Sequence, residues 1–73
     1  GIDVANSTGT PVYAAAAGVI EKSGWNNGGY GNLVEVRHAD GTMTRYGHNS
    51  KLMVQVGQQV NQGDIIALMG STG

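Results

Sequence analysis

The stretch that decides the fold is Asn32-Leu33-Val34-Glu35-Val36-Arg37-His38-Ala39-Asp40-Gly41-Thr42-Met43-Thr44-Arg45-Tyr46-Gly47-His48. Asp-Gly is a dipeptide typical of tight turns between two antiparallel strands. The flanking residues are rich in β-branched and aromatic side chains, which favour an extended backbone. The stretch therefore predicts a β-hairpin with strands over residues 32–39 and 42–48.

The pairing of this hairpin predicts which side chains share a face of the sheet. If Asp40 and Gly41 are the only loop residues, Ala39 lies opposite Thr42, and side chains alternate outward from that pair. The candidate core face then carries Val34, Val36, His38, Met43, Arg45 and Gly47. The other face, which is mostly polar, carries Leu33, Glu35, Arg37, Thr42, Thr44, Tyr46 and His48.

The rest of the chain also indicates an all-β fold with hairpins and one or more antiparallel sheets. It has 13 glycines and 1 proline in 73 residues. The glycines separate short β-branched runs, and no helical periodicity extends beyond one turn. Further strands are predicted over residues 12–15, 18–25 and 65–69, with a turn cluster over residues 26–31. A regular spacing of apolar residues and turn glycines follows, namely Val54, Gly57, Val60, Gly63 and Ile66.

Composition limits the possible classes of protein. A chain of 73 residues forms one domain at most, and its zero cysteines exclude disulfides and thiolate metal sites. The net charge is −1, and the four basic residues are scattered, so no nucleic-acid interface is expected. No apolar run approaches the roughly 20 residues of a membrane span. Because the chain opens like a strand end and closes like a loop, we expect residues 1–73 to be a single domain truncated at both ends.

Several polar and aromatic residues are candidates for a functional site. His48, at the end of a strand, is a possible ligand or acid–base group, although a single histidine is more often a surface residue. Asp3, from its spacing alone, is better explained as a cap of backbone N–H groups. Tyr46 either places its hydroxyl in a binding groove or forms an aromatic pair with a residue on the neighbouring strand. Trp25 and Tyr30, which flank the turn cluster, either line a cleft or cover part of the core.

Taken together, the order and spacing of several motifs resemble a known family. They are Gly1-Ile2-Asp3-Val4, Gly9-Thr10-Pro11-Val12-Tyr13-Ala14, Ala17-Gly18-Val19-Ile20, Gly29-Tyr30-Gly31-Asn32, Tyr46-Gly47-His48 and Gly70-Ser71-Thr72-Gly73. Over essentially the whole chain, they resemble the lysostaphin-type zinc metallopeptidases, peptidase family M23, also called the LytM domain. The resemblance implies a partial LytM/M23 β-fold, similar to a duplicated hybrid motif, with a zinc-binding groove on an antiparallel sheet.

The resemblance also implies roles for individual residues. Asp3 matches a zinc ligand and His48 a catalytic histidine, while Tyr46, Trp25 and Tyr30 are substrate-binding candidates. A ligand histidine four residues before Asp3, and a later His-x-His, are expected outside residues 1–73. With one of three expected ligands, these 73 residues should bind zinc weakly and cleave nothing. Asn49 stands where the family usually has leucine, and His38 is interpreted as a structural residue near the hairpin end.

The function implied is that of a fragment of a zinc metalloendopeptidase that hydrolyses peptide crosslinks in bacterial peptidoglycan. Its place would be the bacterial envelope, periplasmic or secreted, or a phage particle. An alternative is a non-catalytic domain of the same fold that binds cell-wall peptide or activates a partner amidase. A biotinyl- or lipoyl-type carrier is disfavoured because the turns at Gly57 and Gly63 lack lysine, and Lys51 precedes them.

Overall fold

The computed structural model describes residues 8–70, which form one curled antiparallel sheet without a helix. Its strands are β1 (Pro11–Tyr13), β2 (Gly18–Asn26), β3 (Gly31–Arg37), β4 (Met43–Leu52), β5 (Gln59–Val60) and β6 (Ile65–Met69). They are arranged in the order β1-β6-β4-β3-β2-β5, and every neighbouring pair is antiparallel. The predicted all-β fold built from hairpins is confirmed. No long apolar helix of the kind that crosses a bilayer occurs within residues 8–70.

The hydrophobic core is a cluster of aliphatic side chains contributed by strands and by the loops between them. Its members are Ala14, Ile20, Val34, Val36, Val54, Val60, Ile66 and Ala67, with Val12, Tyr46 and Leu52 packed against them. At the edge of the cluster, the Ser23 hydroxyl donates a hydrogen bond of 2.7 Å to the Val54 carbonyl. The predicted burial of Val34 and Val36 in the centre of the sheet is confirmed.

The hairpin between β3 and β4 has a loop of three residues, not two. His38 N donates to Thr42 O at 2.8 Å, and Gly41 N donates to His38 O at 2.9 Å. Gly41 has a φ of 89°, as expected for the last residue of a three-residue hairpin loop. Asp40 Oδ1 accepts hydrogen bonds from the Thr42 hydroxyl and from Thr42 N, and these bonds lower the pKa of the Asp40 carboxyl.

The additional loop residue shifts the pairing of the two strands by one position, so the predicted faces are wrong for β4. Val34 lies opposite Tyr46, while Glu35 lies opposite Arg45. The Tyr46 side chain is therefore on the core face, and Arg45 Nε binds the Glu35 carboxylate at 2.8 Å on the other face. Met43, predicted to lie in the core, is 41% exposed. The error follows from alternation, because a slip of one residue moves every side chain of a strand to the opposite face.

The spacing of apolar residues and glycines in the last third forms two similar turns, as predicted. Gln58 N donates to Gln55 O at 3.0 Å around Gly57, and Asp64 N donates to Asn61 O at 3.0 Å around Gly63. In each turn a side chain bonds back to the first residue, Gln58 Oε1 to Gln55 N and Asp64 Oδ2 to Asn61 N. The apolar residues before, between and after the two turns, Val54, Val60 and Ile66, are buried in the core.

We predict that Gly41→Ala destabilises the protein by about 1–2 kcal/mol, because an L-residue is strained at this positive φ. A Cβ at Gly41 meets no atom within 4 Å, so the effect isolates backbone conformation from packing. Gly24→Ala is the matched control, since Gly24 lies within β2, has no positive φ and also has free space. Urea denaturation of the two variants measures the difference. Equal midpoints for both would contradict this explanation of the hairpin loop.

Candidate functional site

A β-bulge in the middle of β4 sets the position of His48. On β3 and β4, Val34 is opposite Tyr46 and Asn32 is opposite Asn49. Two residues of β4, Gly47 and His48, therefore lie opposite the single β3 residue between Asn32 and Val34. His48 has a φ of 59° and is the only residue other than glycine with a positive φ in residues 8–70. A bulge with this backbone geometry redirects one side chain, and such bulges are frequent next to active sites. It also separates His48 from the alternation that places Tyr46 in the core.

Two backbone hydrogen bonds hold the bulge against neighbouring segments. His48 N donates to Tyr30 O at 2.6 Å, and Gly70 N donates to His48 O at 2.8 Å. A Cβ at Gly70 would come within 2.6 Å of His48 O, and a Cβ at Gly47 within 3.0 Å of the Tyr30 ring. These two glycines therefore let the turn before β3 and the end of β6 approach the bulge closely.

Two asparagine side chains link β3 and β4 at the bulge. Asn49 is 5% exposed, and its Nδ2 donates to Tyr46 O at 2.7 Å and to Asn32 O at 3.0 Å. In return, Asn32 Nδ2 donates to Asn49 O at 3.0 Å. The sequence analysis missed this pair as part of the site. The available signal was a buried strand position occupied by a residue that strands disfavour.

A cavity of about 500 Å³ lies beside the bulge. Its lining consists mainly of polar side chains and glycines, together with one indole ring, namely Thr8, Trp25, Asn26, Asn27, Gly29, Gly31, Asn32, His48, Asn49, Ser50 and Gly70. The turn cluster between β2 and β3 forms one side of this cavity, and the bulge of β4 forms another. An open site with few charges and several amide groups suits a peptide ligand better than a highly charged one.

Trp25 stands at the cavity with 71% of its surface exposed, and its ring makes one side-chain hydrogen bond. Its Nε1 donates to Asn27 Oδ1 at 2.7 Å. The ring also lies close to the Gly31 backbone, since a Cβ added to Gly31 would be 3.7 Å from it. Asn26 Oδ1 accepts from Gly28 N at 2.7 Å, which orders the same turn. The polar atom of the indole is thus already bonded, and the ring offers a ligand only its apolar faces.

The residues predicted for the site fall into three groups. His48 and Trp25 line the same cavity. Tyr30 accepts the His48 N–H through its carbonyl, while Tyr46 Oη accepts from Ala15 N at 3.0 Å and from the Thr44 hydroxyl at 2.9 Å on the core side. Asp3 lies outside the described residues. The catalytic, metal-binding and substrate-binding roles assigned to these residues remain predictions.

His38 has a different environment from His48, and its structural interpretation is confirmed. Its Nδ1 lies 2.7 Å from the Ala17 carbonyl oxygen, and its Nε2 lies 2.9 Å from the Thr44 hydroxyl. Because a carbonyl only accepts, Nδ1 carries a proton and donates to Ala17. With both ring nitrogens engaged, His38 joins the hairpin to the segment before β2.

The titratable side chains of residues 8–70 contain no group of three His, Cys, Asp or Glu that could hold a metal ion. At the cavity itself, His48 is the one residue of these four types among the lining residues of the described segment. A single imidazole can hold or move a proton, or orient a water molecule, but does not by itself bind a metal tightly.

Comparisons with known proteins agree with one another. A sequence profile described as "Peptidase family M23" matches residues 1–73. A protein of Pseudomonas aeruginosa named "Lipoprotein NlpD/LppB homolog" is 48% identical over 73 residues, which are 100% of this chain and 25% of that protein. The "Murein hydrolase activator NlpD" of Salmonella dublin is 42% identical over 100% of this chain and 19% of its own length.

Among solved structures, the catalytic domain of the antimicrobial peptidase lysostaphin from Staphylococcus simulans superposes with a TM-score of 0.87. The sequences are 44% identical, and the match covers 92% of this chain and 51% of that one. The sheet described above is therefore a part of the lysostaphin catalytic-domain fold. The chain spans about a quarter of the Pseudomonas relative and about half of the lysostaphin domain.

We predict that Asn27→Ala increases the motion of the Trp25 ring, because it removes the acceptor of the indole N–H. Because the bond is exposed, its loss should lower the free energy of unfolding by about 1 kcal/mol or less. Trp25 is the only tryptophan of the 73 residues, and time-resolved fluorescence anisotropy measures its local motion. Asn61→Ala, in a remote turn, is the control. An unchanged decay for Asn27→Ala would show that packing alone fixes the ring.

Proposed function

Because the chain belongs to peptidase family M23, we propose that it is part of a zinc endopeptidase that hydrolyses peptide crosslinks in bacterial peptidoglycan. The observation that carries this proposal is the placement of His48, which a bulge in β4 brings to an open cavity shared with Trp25. Without the bulge, the side chain of His48 would point to the opposite face of the sheet. The cavity and the bulge together provide space for a substrate next to an ionisable group.

His48 is proposed to act on the reacting atoms through its imidazole. In peptide hydrolysis a water molecule attacks the scissile carbonyl, and negative charge develops on the carbonyl oxygen. An imidazole at the cavity can accept a proton from that water or donate a hydrogen bond to the developing oxyanion. Either task requires the imidazole at a defined place, and the backbone bonds to Tyr30 and Gly70 fix the backbone of His48, from which the ring extends.

Asp3 is the proposed metal-binding residue of this chain. Its carboxylate is a donor type that zinc accepts, and two imidazole ligands outside residues 1–73 would complete the set. Zinc, when bound, supplies a water molecule whose pKa is lowered towards neutrality. Residues 8–70 contribute the imidazole of His48 and the lining of the cavity.

The proposed ligand is an extended peptide from the cell wall. Trp25 offers an apolar ring face to such a ligand, and Tyr30 lies in the turn between β2 and β3, next to the cavity. Tyr46 contributes indirectly at most, since its hydroxyl bonds to Ala15 and Thr44. The bacterial envelope is the proposed location, periplasmic or secreted, because relatives with over 40% identity are named as lipoproteins.

A second candidate function is activation of a separate cell-wall hydrolase by a non-catalytic domain. It is supported by the Salmonella relative, whose name is murein hydrolase activator and which matches the whole chain. The two functions differ in the ligand histidines of the complete protein. A histidine four residues before Asp3 and a His-x-His after Gly73 support the peptidase, and their replacement supports the activator.

We predict that His48→Ala lowers the turnover of the complete protein on purified peptidoglycan by about 100-fold or more, the usual range for loss of an acid–base group. Chromatography and mass spectrometry of the released fragments measure the rate and identify the cleaved bond. His38→Gln is the control, because His38 is remote from the cavity lining. Removal of zinc with a chelator should abolish release, and added zinc should restore it.

Two results would contradict the peptidase assignment. One is release of fragments at an equal rate by the wild type and by His48→Ala. The other is no release by the wild type with zinc, together with faster release when a cell-wall amidase is added. The second result would establish the activator function instead.

A further inference from the structure

His48 occupies a backbone conformation that requires an external constraint. Its φ of 59° lies in the left-handed region, which residues with a Cβ rarely adopt. Such conformations persist where surrounding contacts determine them, and they are concentrated at functional sites. The backbone bonds to Tyr30 and Gly70 fix the N–H and carbonyl of His48 itself. They do not connect the part of β4 before the bulge to the part after it, nor either part to β3.

The carboxamide of Asn49 makes that connection. Its Nδ2 has two hydrogen atoms, and both are used, one on Tyr46 O at 2.7 Å and one on Asn32 O at 3.0 Å. Tyr46 precedes the bulge on β4, and Asn32 lies on the neighbouring strand β3. One side chain thus joins the residue before the bulge, the residue after it and the partner strand.

The cost of burying this side chain indicates that its donors matter more than its volume. Asn49 is 5% exposed, and its Oδ1 is buried without a hydrogen-bond partner in the described part of the chain. A buried acceptor without a partner is unfavourable, and an aliphatic side chain of similar size avoids that penalty. Such a side chain would, however, leave the carbonyls of Tyr46 and Asn32 without the amide donor. The two donors are therefore the feature that justifies an asparagine here.

Asn32 completes the arrangement from the opposite strand. Its Nδ2 donates to Asn49 O at 3.0 Å, so each asparagine side chain bonds the backbone of the other residue. Both residues also line the cavity that His48 faces. The two asparagine side chains therefore bond the backbone next to the bulge from both strands.

We propose that Asn49 is the positioning residue of this site, and that its carboxamide holds the β4 bulge in the form that brings His48 to the cavity. The effect on turnover rests on the proposed function of His48, whereas the effect on conformation does not. Asn49 touches no reacting atom in this role. It acts by restricting the backbone from Tyr46 to Asn49 to one arrangement.

The test compares Asn49→Asp and Asn49→Ala with the wild type in the complete protein. The first variant keeps the shape but places an acceptor against two carbonyls, and the second removes both donors with a smaller side chain. Asn61→Asp is the matched control, because Asn61 lies in an exposed turn and bonds through its backbone N–H. NMR of histidine labelled with ¹⁵N and ¹³C reports on His48, with His38 as the internal reference for the remainder of the sheet.

We expect the ring and amide signals of His48 to shift in both Asn49 variants, while those of His38 stay in place. Hydrogen exchange of the His48 amide should be at least about tenfold faster, since two hydrogen bonds of roughly 1 kcal/mol each are lost and tenfold corresponds to about 1.4 kcal/mol. The control should match the wild type. On peptidoglycan, kcat should fall in the Asn49 variants with KM unchanged.

The proposal is overturned if His48 keeps its signals and exchange rate in both variants. It is also overturned if both variants lose the His38 signals as well, because Asn49 would then support the whole fold and not the bulge in particular. A wild type without hydrolytic activity would refute the proposed peptidase. The NMR comparison would still decide the role of Asn49.

Discussion

The constraint on which this structure depends is the inserted residue in β4. In a regular antiparallel strand, side chains two positions apart lie on the same face of the sheet. Without an irregularity, β4 therefore could not present Tyr46 to the core, opposite Val34, and also present His48 to the cavity. The bulge at Gly47 and His48 resolves this conflict. Before it, β4 supplies the core through Tyr46, and after it the same strand supplies the cavity with Asn49 and Ser50. The same strand of ten residues thus serves both purposes, and its last residue, Leu52, packs against the core again.

The strand pattern and the turns could be predicted from the sequence, but the register could not. Asp40-Gly41 is compatible with a loop of two residues and with a loop of three in which glycine is the last. The dipeptide does not distinguish them, because glycine supplies the required positive φ in both. The choice depends on tertiary packing, since the longer loop places Tyr46 opposite Val34 and against the core. That packing involves Ala14 and Ile66, which are distant in sequence from the hairpin.

The site was predictable only in part, for a similar reason. His48 and Trp25 were identified from residue type and family resemblance, and they do line one cavity. Asn49 was noted only as a departure from the family pattern, because no local rule predicts a left-handed histidine before a buried asparagine. The two histidines show the same limit. Their chemistry is identical, yet His38 has both nitrogens bonded within the sheet, while the bulge presents His48 to the cavity.

The short strands at the two margins of the sheet have a consequence for association between molecules. β1 has three residues and begins with Pro11, and β5 has two residues. A margin of this kind exposes few unpaired N–H and carbonyl groups, and proline removes one donor entirely. Within residues 8–70, β3 is paired on both sides along its length, whereas β5 pairs with β2 only at Gly18 and Val19. The two outermost strands of the sheet in residues 8–70 therefore offer little template for edge-to-edge polymerisation.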